Sequence, residues 1–291
     1  MFLKLAGSCY ILHMPKKQKS TSNATQAQLA DKYVLYQESV QDPGHEVDFF
    51  DKAYKAEFGK KPVTLREDFC GTFAICCLWA KKKGRVAIGV DLDPEPLDWG
   101  RQHNLAKLKP EAQERVTLLQ DDVRSVSQVK ADVLAAQNFS FWIFKTRSEL
   151  LAYFQAAYRN LGPQGLMILD MMGGYECFQE GHQDIHAYGK GKNSFKYVWD
   201  QARFDPMTHD ATFHIHFRFK DGSQLSPAFT YDWRFWSIPE VRELLTEAGF
   251  GQIHVYWEGT DSDGDGDGKW KKRKSATSDP AWIAYLSAVK Q

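Results

Sequence analysis

"LREDFCGTF", residues 65–73, is the stretch on which the fold turns. It closes an apolar run with acids, holds a single glycine (Gly71), and leads straight into "AICCLWAKKKG", residues 74–84. A strand that passes through a tight turn into a helix is the opening of a strand–helix–strand unit. Ligand-binding turns of this kind usually carry two or three glycines, whereas here Phe69 and Phe73 flank the only one. The segment is either a cofactor turn with aromatics in place of glycine or a strand end in a buried core.

The chain on either side decides between these. "VTLREDF" (63–69), "RVAIGVDLD" (85–93), "RVTLLQDDV" (115–123), "ADVLAAQNF" (131–139) and "GLMILDMM" (165–172) read as strands. Helical patterns separate most of them, among them "EPLDWGRQHNLAKL" (95–108) and "SELLAYFQAAYRNLG" (148–162). Strands alternating with helices predict a parallel, doubly wound sheet with right-handed crossovers. The rhythm breaks over 172–232, where "SFKYVWDQARFD", "ATFHIHFRFK" and "QLSPAFTYDWRFW" alternate like antiparallel strands and "KDGS" (220–223) forms a hairpin turn. "SIPEVRELLTEAGF" (237–250) is a further helix, capped by Ser237, and "GQIHVYWEG" and "AWIAYLSAVK" are two closing strands around the loop 259–280.

The expected fold class is α/β: a doubly wound, mostly parallel seven-stranded sheet with helices on both faces, an N-terminal helical cap and an inserted antiparallel β lobe. The expected divisions are a disordered or marginal tail (1–27), the cap (28–60), the core (61–172), the insertion (173–235) as substrate lid or dimer contact, and the closing elements (236–291). Residues 1–13 read as an extension ahead of Met14.

Composition narrows the function classes. Lys plus Arg and Asp plus Glu both number 37, and this balance argues against a protein that relies on wide phosphate contacts. The five cysteines, Cys9, Cys70, Cys76, Cys77 and Cys177, are odd in number and form no CxxC pair, which predicts reduced thiols in a cytoplasmic protein. No apolar run approaches the ~20 residues that span a bilayer. The opening "MFLKLAGSCYILHM" lacks a cleavage pattern, so neither a membrane partner nor secretion is expected.

In doubly wound sheets, ligands bind beyond the carboxyl ends of the strands. Gly71 lets backbone approach a ligand without a Cβ in the way, and Glu67 puts a carboxylate near the same strand end. Asp91, twenty positions beyond Gly71, can accept hydrogen bonds from a ribose diol. Asp122 can take an exocyclic adenine amine, and Asn138 and Phe139 can border the ligand. Alone, each of these acids is an ordinary turn or capping residue; in this order they point to a nucleoside-type cofactor.

"LREDFCGTF", "AIGVDLDPEPLDWGRQHN", "LLQDDVRSV" and "NLGPQGLMILDMM" together resemble the class I (Rossmann-like) S-adenosylmethionine-dependent methyltransferases of small-molecule type. The last is similar to that family's approach to the fifth strand, with Gln164 where the first of two paired glycines often lies. The resemblance implies S-adenosyl-L-methionine as cofactor. Glu67, Gly71 and Thr72 would lie near its methionine part, Asp91 on the ribose, Leu92 on the adenine, and Asp122 and Val123 at the adenine edge. Asn138 and Phe139 would stand beside the transferred methyl. Tyr33 and Tyr36, in "DKYVLYQESVQD", resemble cap tyrosines that close over the cofactor; ordinary packing of one helix face is the alternative.

Asn138, Tyr231 and Arg234 are the candidate catalytic or acceptor-gripping residues, Arg234 because a fork of donors suits a carboxylate or phosphate. Its alternative is an internal ion pair with Asp232 or Glu240. His182, His186, His209, His214 and His216 are further candidates; His214 and His216 share a strand face but lack local partners for a metal, and no metal is expected. "NFSF" stands after the fourth strand where adenine-N6 methylases carry an N-P-P-Y motif, which favours a small-molecule acceptor over nucleic acid. "DSDGDGDG" (261–268) opens like a calcium loop, but Lys272 stands where the bidentate Glu is due, so a charged hairpin loop is expected. Three readings remain open: a small-molecule methyltransferase, an RNA methyltransferase using "KWKKRK" (269–274), and a non-catalytic scaffold with this fold. A homodimer is likewise open.

Overall fold

The computed structural model describes residues 24–260 and 266–290. The expectations for residues 1–23 and for the first half of the acidic loop lie outside the described residues. Three helices open the described chain: α1 (Gln26–Leu29), α2 (Lys32–Ser39) and α3 (Pro43–Phe58). The alternating core follows: β1 (Thr64–Asp68), α4 (Ala74–Lys81), β2 (Val86–Asp91), α5 (Pro94–His103), α6 (Pro110–Gln113), β3 (Val116–Gln120), β4 (Ala131–Ala136), α7 (Arg147–Asn160) and β5 (Leu161–Gly173). Then come β6 (His182–Tyr188), β7 (Phe195–Phe204), β8 (Asp210–Phe219), β9 (Gln224–Arg234), α8 (Ile238–Glu247), β10 (Ile253–Thr260), β11 (Gly266–Arg273) and β12 (Trp282–Val289).

Local chemistry sets the helix ends. Asp42 caps α3 by accepting from the His45 N–H at 3.1 Å, Pro43 fits its first turn, and Gly59 ends it in the left-handed region at φ 70°. Thr146 with Glu149, and Ser237 with Glu240, close reciprocal capping boxes on α7 and α8.

Two sheets form, an eight-stranded one in the order β11-β10-β12-β5-β4-β1-β2-β3 and a four-stranded antiparallel one in the order β6-β7-β8-β9. β1 lies between β2 and β4, parallel to both, so strand order reverses beside it. Period-two alternation sends the two faces of the sheet into separate cores. Leu65, Ala87, Val133 and Ile168 pack with Phe50 of α3 and Trp79 of α4; Ile88, Val90, Leu134 and Leu169 pack with Phe154 of α7 and Leu244 of α8. Trp199, Phe213 and Trp233 of the antiparallel sheet join the second core, so the lobe is packed onto the body of the molecule.

Three expectations need correction. The large sheet has eight strands rather than seven: residues 266–273, read as loop, pair antiparallel with β10. Only Trp270 turns inward, against His45, Phe49 and Tyr285, while Lys269, Lys271 and Arg273 are exposed. An edge strand guarded by lysines has no apolar alternation to betray it. The polar β6 escaped notice for the same reason. At the other end, α1 begins at Gln26, inside the predicted tail, with Thr25 and Gln28 forming a capping box.

The first turn keeps the shape that glycines would give it. Phe69, Gly71 and Phe73 all have positive φ, at 56°, 51° and 46°, and Gln164 takes φ 58° at the other glycine-like position. Such a conformation costs a residue with a Cβ about 1–2 kcal/mol. Packing holds the rings in place: Phe73 is fully buried, and Phe69 lies 5.5 Å from the Tyr153 ring. Room for Phe73 comes from Gly100 of α5, where a Cβ would lie 2.4 Å from Phe73 Cε1 and 2.6 Å from the Thr72 carbonyl. Gly100→Ala is therefore expected to lose about 1–3 kcal/mol despite alanine's better helix propensity. Thermal unfolding should show this as a midpoint lowered by several degrees; an unchanged or raised midpoint would refute the tight fit.

Candidate functional site

The carboxyl ends of β1, β2 and β4 open into a cavity of about 270 Å³. Its floor is the 69–72 turn with Asp91 and Asn138; Lys32, Tyr33 and Tyr36 of α2 and Phe229 and Tyr231 of β9 form the opposite wall. The cap is tied down on both sides. Asp31 caps α2 and accepts from Trp99 Nε1 of α5 at 2.6 Å, and Lys32 meets Glu95 at 2.8 Å. Gln26 N and Ala27 N donate to Asp221 and Ser223 in the hairpin turn of the antiparallel sheet.

Asp91 binds the turn itself. Its Oδ2 accepts from the Gly71 N–H at 2.6 Å and its Oδ1 from the Asp93 N–H at 2.9 Å. Burial pushes its carboxyl above the usual range, with those two N–H groups pulling the other way. A Cβ on Gly71 would meet no atom within 4 Å, so the glycine leaves open space on the cavity side. Thr72 Oγ1 accepts from Gln37 Nε2 of α2 at 2.8 Å, which links the turn to the cap.

Tyr33, Tyr36, Gly71, Thr72, Asp91, Asn138 and Tyr231, all singled out from sequence, line this one cavity. The others do not. Glu67 is buried beneath the turn, where its Oε2 accepts from the Cys76 N–H at 3.0 Å. It thereby serves the first turn of α4, whose N-cap residue Phe73 has no capping side chain. Leu92 is 69% exposed between two lining residues. The Asp122 carboxylate is engaged by Arg124 Nη2 at 2.6 Å, and Val123 is buried with its carbonyl accepting from Arg66 Nη2 at 2.9 Å. Phe139 packs toward Trp142 and Trp233. Arg234 faces away: it donates to the Lys145 carbonyl at 3.1 Å and to Glu240 at 3.4 Å, and lies over the Trp236 ring at 3.9 Å. The internal ion pair is thus what the fold makes of it. None of the described histidines lines the cavity; His214 pairs with Thr230, and His216 with Asp200 and Ser226.

Sequence reasoning missed Phe229, Gln41 and Ser140 among the lining residues, and missed Asp170 behind them. Asp170 accepts from the backbone N–H groups of Asn138 and Phe139, both at 2.9 Å. Its signal was an acid ending the apolar run "GLMIL". Within β1, Arg66 and Asp68 form a fully buried pair at 2.6 Å, with Tyr153 Oη donating to Asp68 at 3.2 Å.

Burial raises three of these acids: Glu67 from 4.5 to about 7, Asp68 from 3.8 to about 6 against the pull of Arg66, and Asp170 from 3.8 to about 7. A carboxyl whose folded value is raised binds its proton more tightly when folded. Its contribution is fully present below the ordinary value and is lost as pH rises through the folded one. Between pH 5 and pH 8 the thermal midpoint should therefore fall, by roughly 5 °C or more. Because burial of charge is the cause, a midpoint that rises over this interval would contradict it.

The strand order, the switch point beside β1 and the cavity above it define the class I methyltransferase fold. Particular proteins share it. The structure of CalS10 from Micromonospora echinaspora, an amino pentose methyltransferase with S-adenosylmethionine bound, matches with TM-score 0.63 and 15% identity, covering 94% of this chain and 100% of that one. DesVI of Streptomyces venezuelae matches with TM-score 0.64 and 17% identity, over 89% of this chain and 96% of that one. The sugar N-methyltransferase KedS8 of a Streptoalloteichus species matches with TM-score 0.61 and 14% identity, over 96% and 99%. In sequence, the Bacillus subtilis (strain 168) protein YqeM, provisionally named a methyltransferase, is 24% identical over 200 residues, 64% of this chain and 72% of that protein. No family model matches the chain.

Proposed function

We propose that this chain is an S-adenosylmethionine-dependent methyltransferase acting on a small molecule. One observation carries the reading: an acid at the end of β2 and a glycine without neighbours on its open side meet, 2.6 Å apart, at the floor of a cavity on the switch point of the sheet. The residues suit the cofactor. Asp91 would take the ribose hydroxyls, and Gly71 would give the space for the chain beyond the sugar. Among the described residues no cluster of cations awaits a phosphate, since the only Lys or Arg among those lining the cavity, Lys32, is paired with Glu95. When bound, S-adenosylmethionine supplies an electrophilic methyl group on a positive sulfur.

The protein's share is alignment and exclusion of water. Tyr33 and Tyr36 of the cap close one side; Phe229, 5.1 Å from the Tyr36 ring, and Tyr231 close the other. Burial raises the hydroxyls of Tyr36, to about 12, and of Tyr231, and the two hydrogen-bond to each other. They stay protonated and orient an acceptor rather than deprotonate it. Among the described residues the lining has no arginine or histidine, which favours an acceptor without carboxylate or phosphate. The RNA reading loses its footing because the 269–274 run is an edge strand, with Trp270 turned inward and Lys272 held by Glu57 at 3.0 Å. Among the described residues no helix is long and apolar enough to cross a membrane, and Cys70, Cys76, Cys77 and Cys177 are free thiols. A cytoplasmic setting accords with the thiols.

The test is titration calorimetry with S-adenosylmethionine, followed by a product assay across amino sugars and other small amines and alcohols. Binding near micromolar levels with methyl transfer to a small acceptor is expected. Absence of binding would favour the scaffold reading, and transfer to RNA alone would favour the RNA reading.

A further inference from the structure

The turn after β4 is built from two consecutive residues in the left-handed region, Asn138 at φ 58° and Phe139 at φ 57°. Neither is glycine, so the turn persists only because its surroundings over-determine it. Successive backbone N–H groups in such a turn point the same way and make a small concavity for an anion. Here an anion from the protein fills it: Asp170 Oδ2 accepts from Asn138 N and Oδ1 from Phe139 N, both at 2.9 Å. Asp170 itself cannot drift, since it sits within β5, three residues before the strand ends, 6% exposed and paired opposite Tyr285 of β12.

We propose that Asp170 is the positioning residue of this site: by filling the N–H concavity of the 138–139 turn it sets how Asn138 and Ser140 face the cavity, and thereby the affinity for cofactor. This rests on the functional reading above. The groups around Asp170 fit a charged carboxylate with assigned partners. Tyr36 of α2, Glu46 of α3 and Tyr285 of β12 feel its charge. Glu46 accepts from Tyr285 Oη at 2.8 Å, and its other oxygen is buried without a partner. Burial and the nearby Asp170 hold Glu46 well above the usual carboxylate range. Of the two acids, Asp170 has two N–H donors and keeps the charge, while Glu46 keeps the proton.

Asp170→Asn tests this, because the isosteric amide offers one acceptor and turns an N–H donor toward the other backbone N–H. Three results are expected. Hydrogen exchange at Asn138 and Phe139 speeds up about tenfold or more. The dissociation constant for S-adenosylmethionine rises about tenfold or more. The tightening of wild-type binding as pH rises through about 7, where Asp170 gains its charge, is flattened. Val133→Ala, a buried β4 change away from the turn, should lower the thermal midpoint and leave both affinity and its pH profile as in wild type. That contrast separates positioning from loss of stability. If Asp170→Asn does not fold, Asp170→Ala, which removes the carboxylate without adding a donor, is expected to weaken binding equally. Wild-type affinity and pH profile in either variant, or unchanged exchange at the two amides, would overturn the proposal. Should wild type itself not bind S-adenosylmethionine, the functional reading fails, and the exchange measurement still judges what Asp170 does to the turn.

Discussion

Asp91→Ala is expected to weaken S-adenosylmethionine binding by roughly 30-fold to 1,000-fold, the loss of about 2–4 kcal/mol that follows removal of a charged acceptor from two hydroxyl donors. The same change frees the Gly71 N–H now held at 2.6 Å. The turn would then lose a tie that offsets its left-handed residues, Phe69 and Phe73. Asp91→Asn should fall in between, since the amide oxygen can still accept once. Folding should change little by comparison, because Asp91 sits at a strand end on the cavity rather than in either core. Calorimetry beside a thermal melt reads both. Wild-type affinity in the alanine variant would remove the ribose role and, with it, the main support for the functional reading.

The largest effect on stability is expected at Arg66→Ala, a loss of about 3–5 kcal/mol. Arg66 is 1% exposed; its Nε meets Asp68 at 2.6 Å, and its Nη2 donates to the carbonyls of Val123 and Ser125. Removing it leaves a buried carboxylate with only Tyr153 as donor and unpins the loop after β3. Adding Asp68→Asn should recover part of the loss, since the remaining group is then neutral. Urea unfolding of the two variants measures the difference. A loss under 1 kcal/mol would mean that water reaches Asp68 and that the pair is not the closed unit described.

Much of the site was legible from residues alone, and for a local reason. Asp91 ends β2, and Gly71 and Asn138 lie in the turns just after β1 and β4, so the end of an apolar run marks each place. The shape of the turns was less legible. Phe69, Phe73 and Gln164 occupy positions where glycine is expected, yet all three take positive φ. Burial of Phe73 and the ring contact of Phe69 compensate the two phenylalanines, and the glycine that makes room, Gly100, lies on another helix. Glu67 was placed correctly at the strand end, but which way its carboxylate turns depends on the unsatisfied N–H groups of α4. Arg234 looked like a substrate grip in "YDWRFW"; the Lys145 carbonyl and Glu240, distant in sequence, had prior claim to it.

From sequence alone came the alternation of strand and helix, the parallel core, the antiparallel insertion, and the acids and glycine at the strand ends. These follow from periodicity and turn chemistry, which act over a few residues. Tertiary structure alone decided that Phe229 and Tyr231 meet Tyr33 and Tyr36 across the cavity, that a lysine-rich segment closes the sheet as an eighth strand, and that Asp170 holds a turn thirty residues away. Such contacts satisfy buried donors and fill space between elements far apart in the chain, and only their packing together determines which partners come within reach.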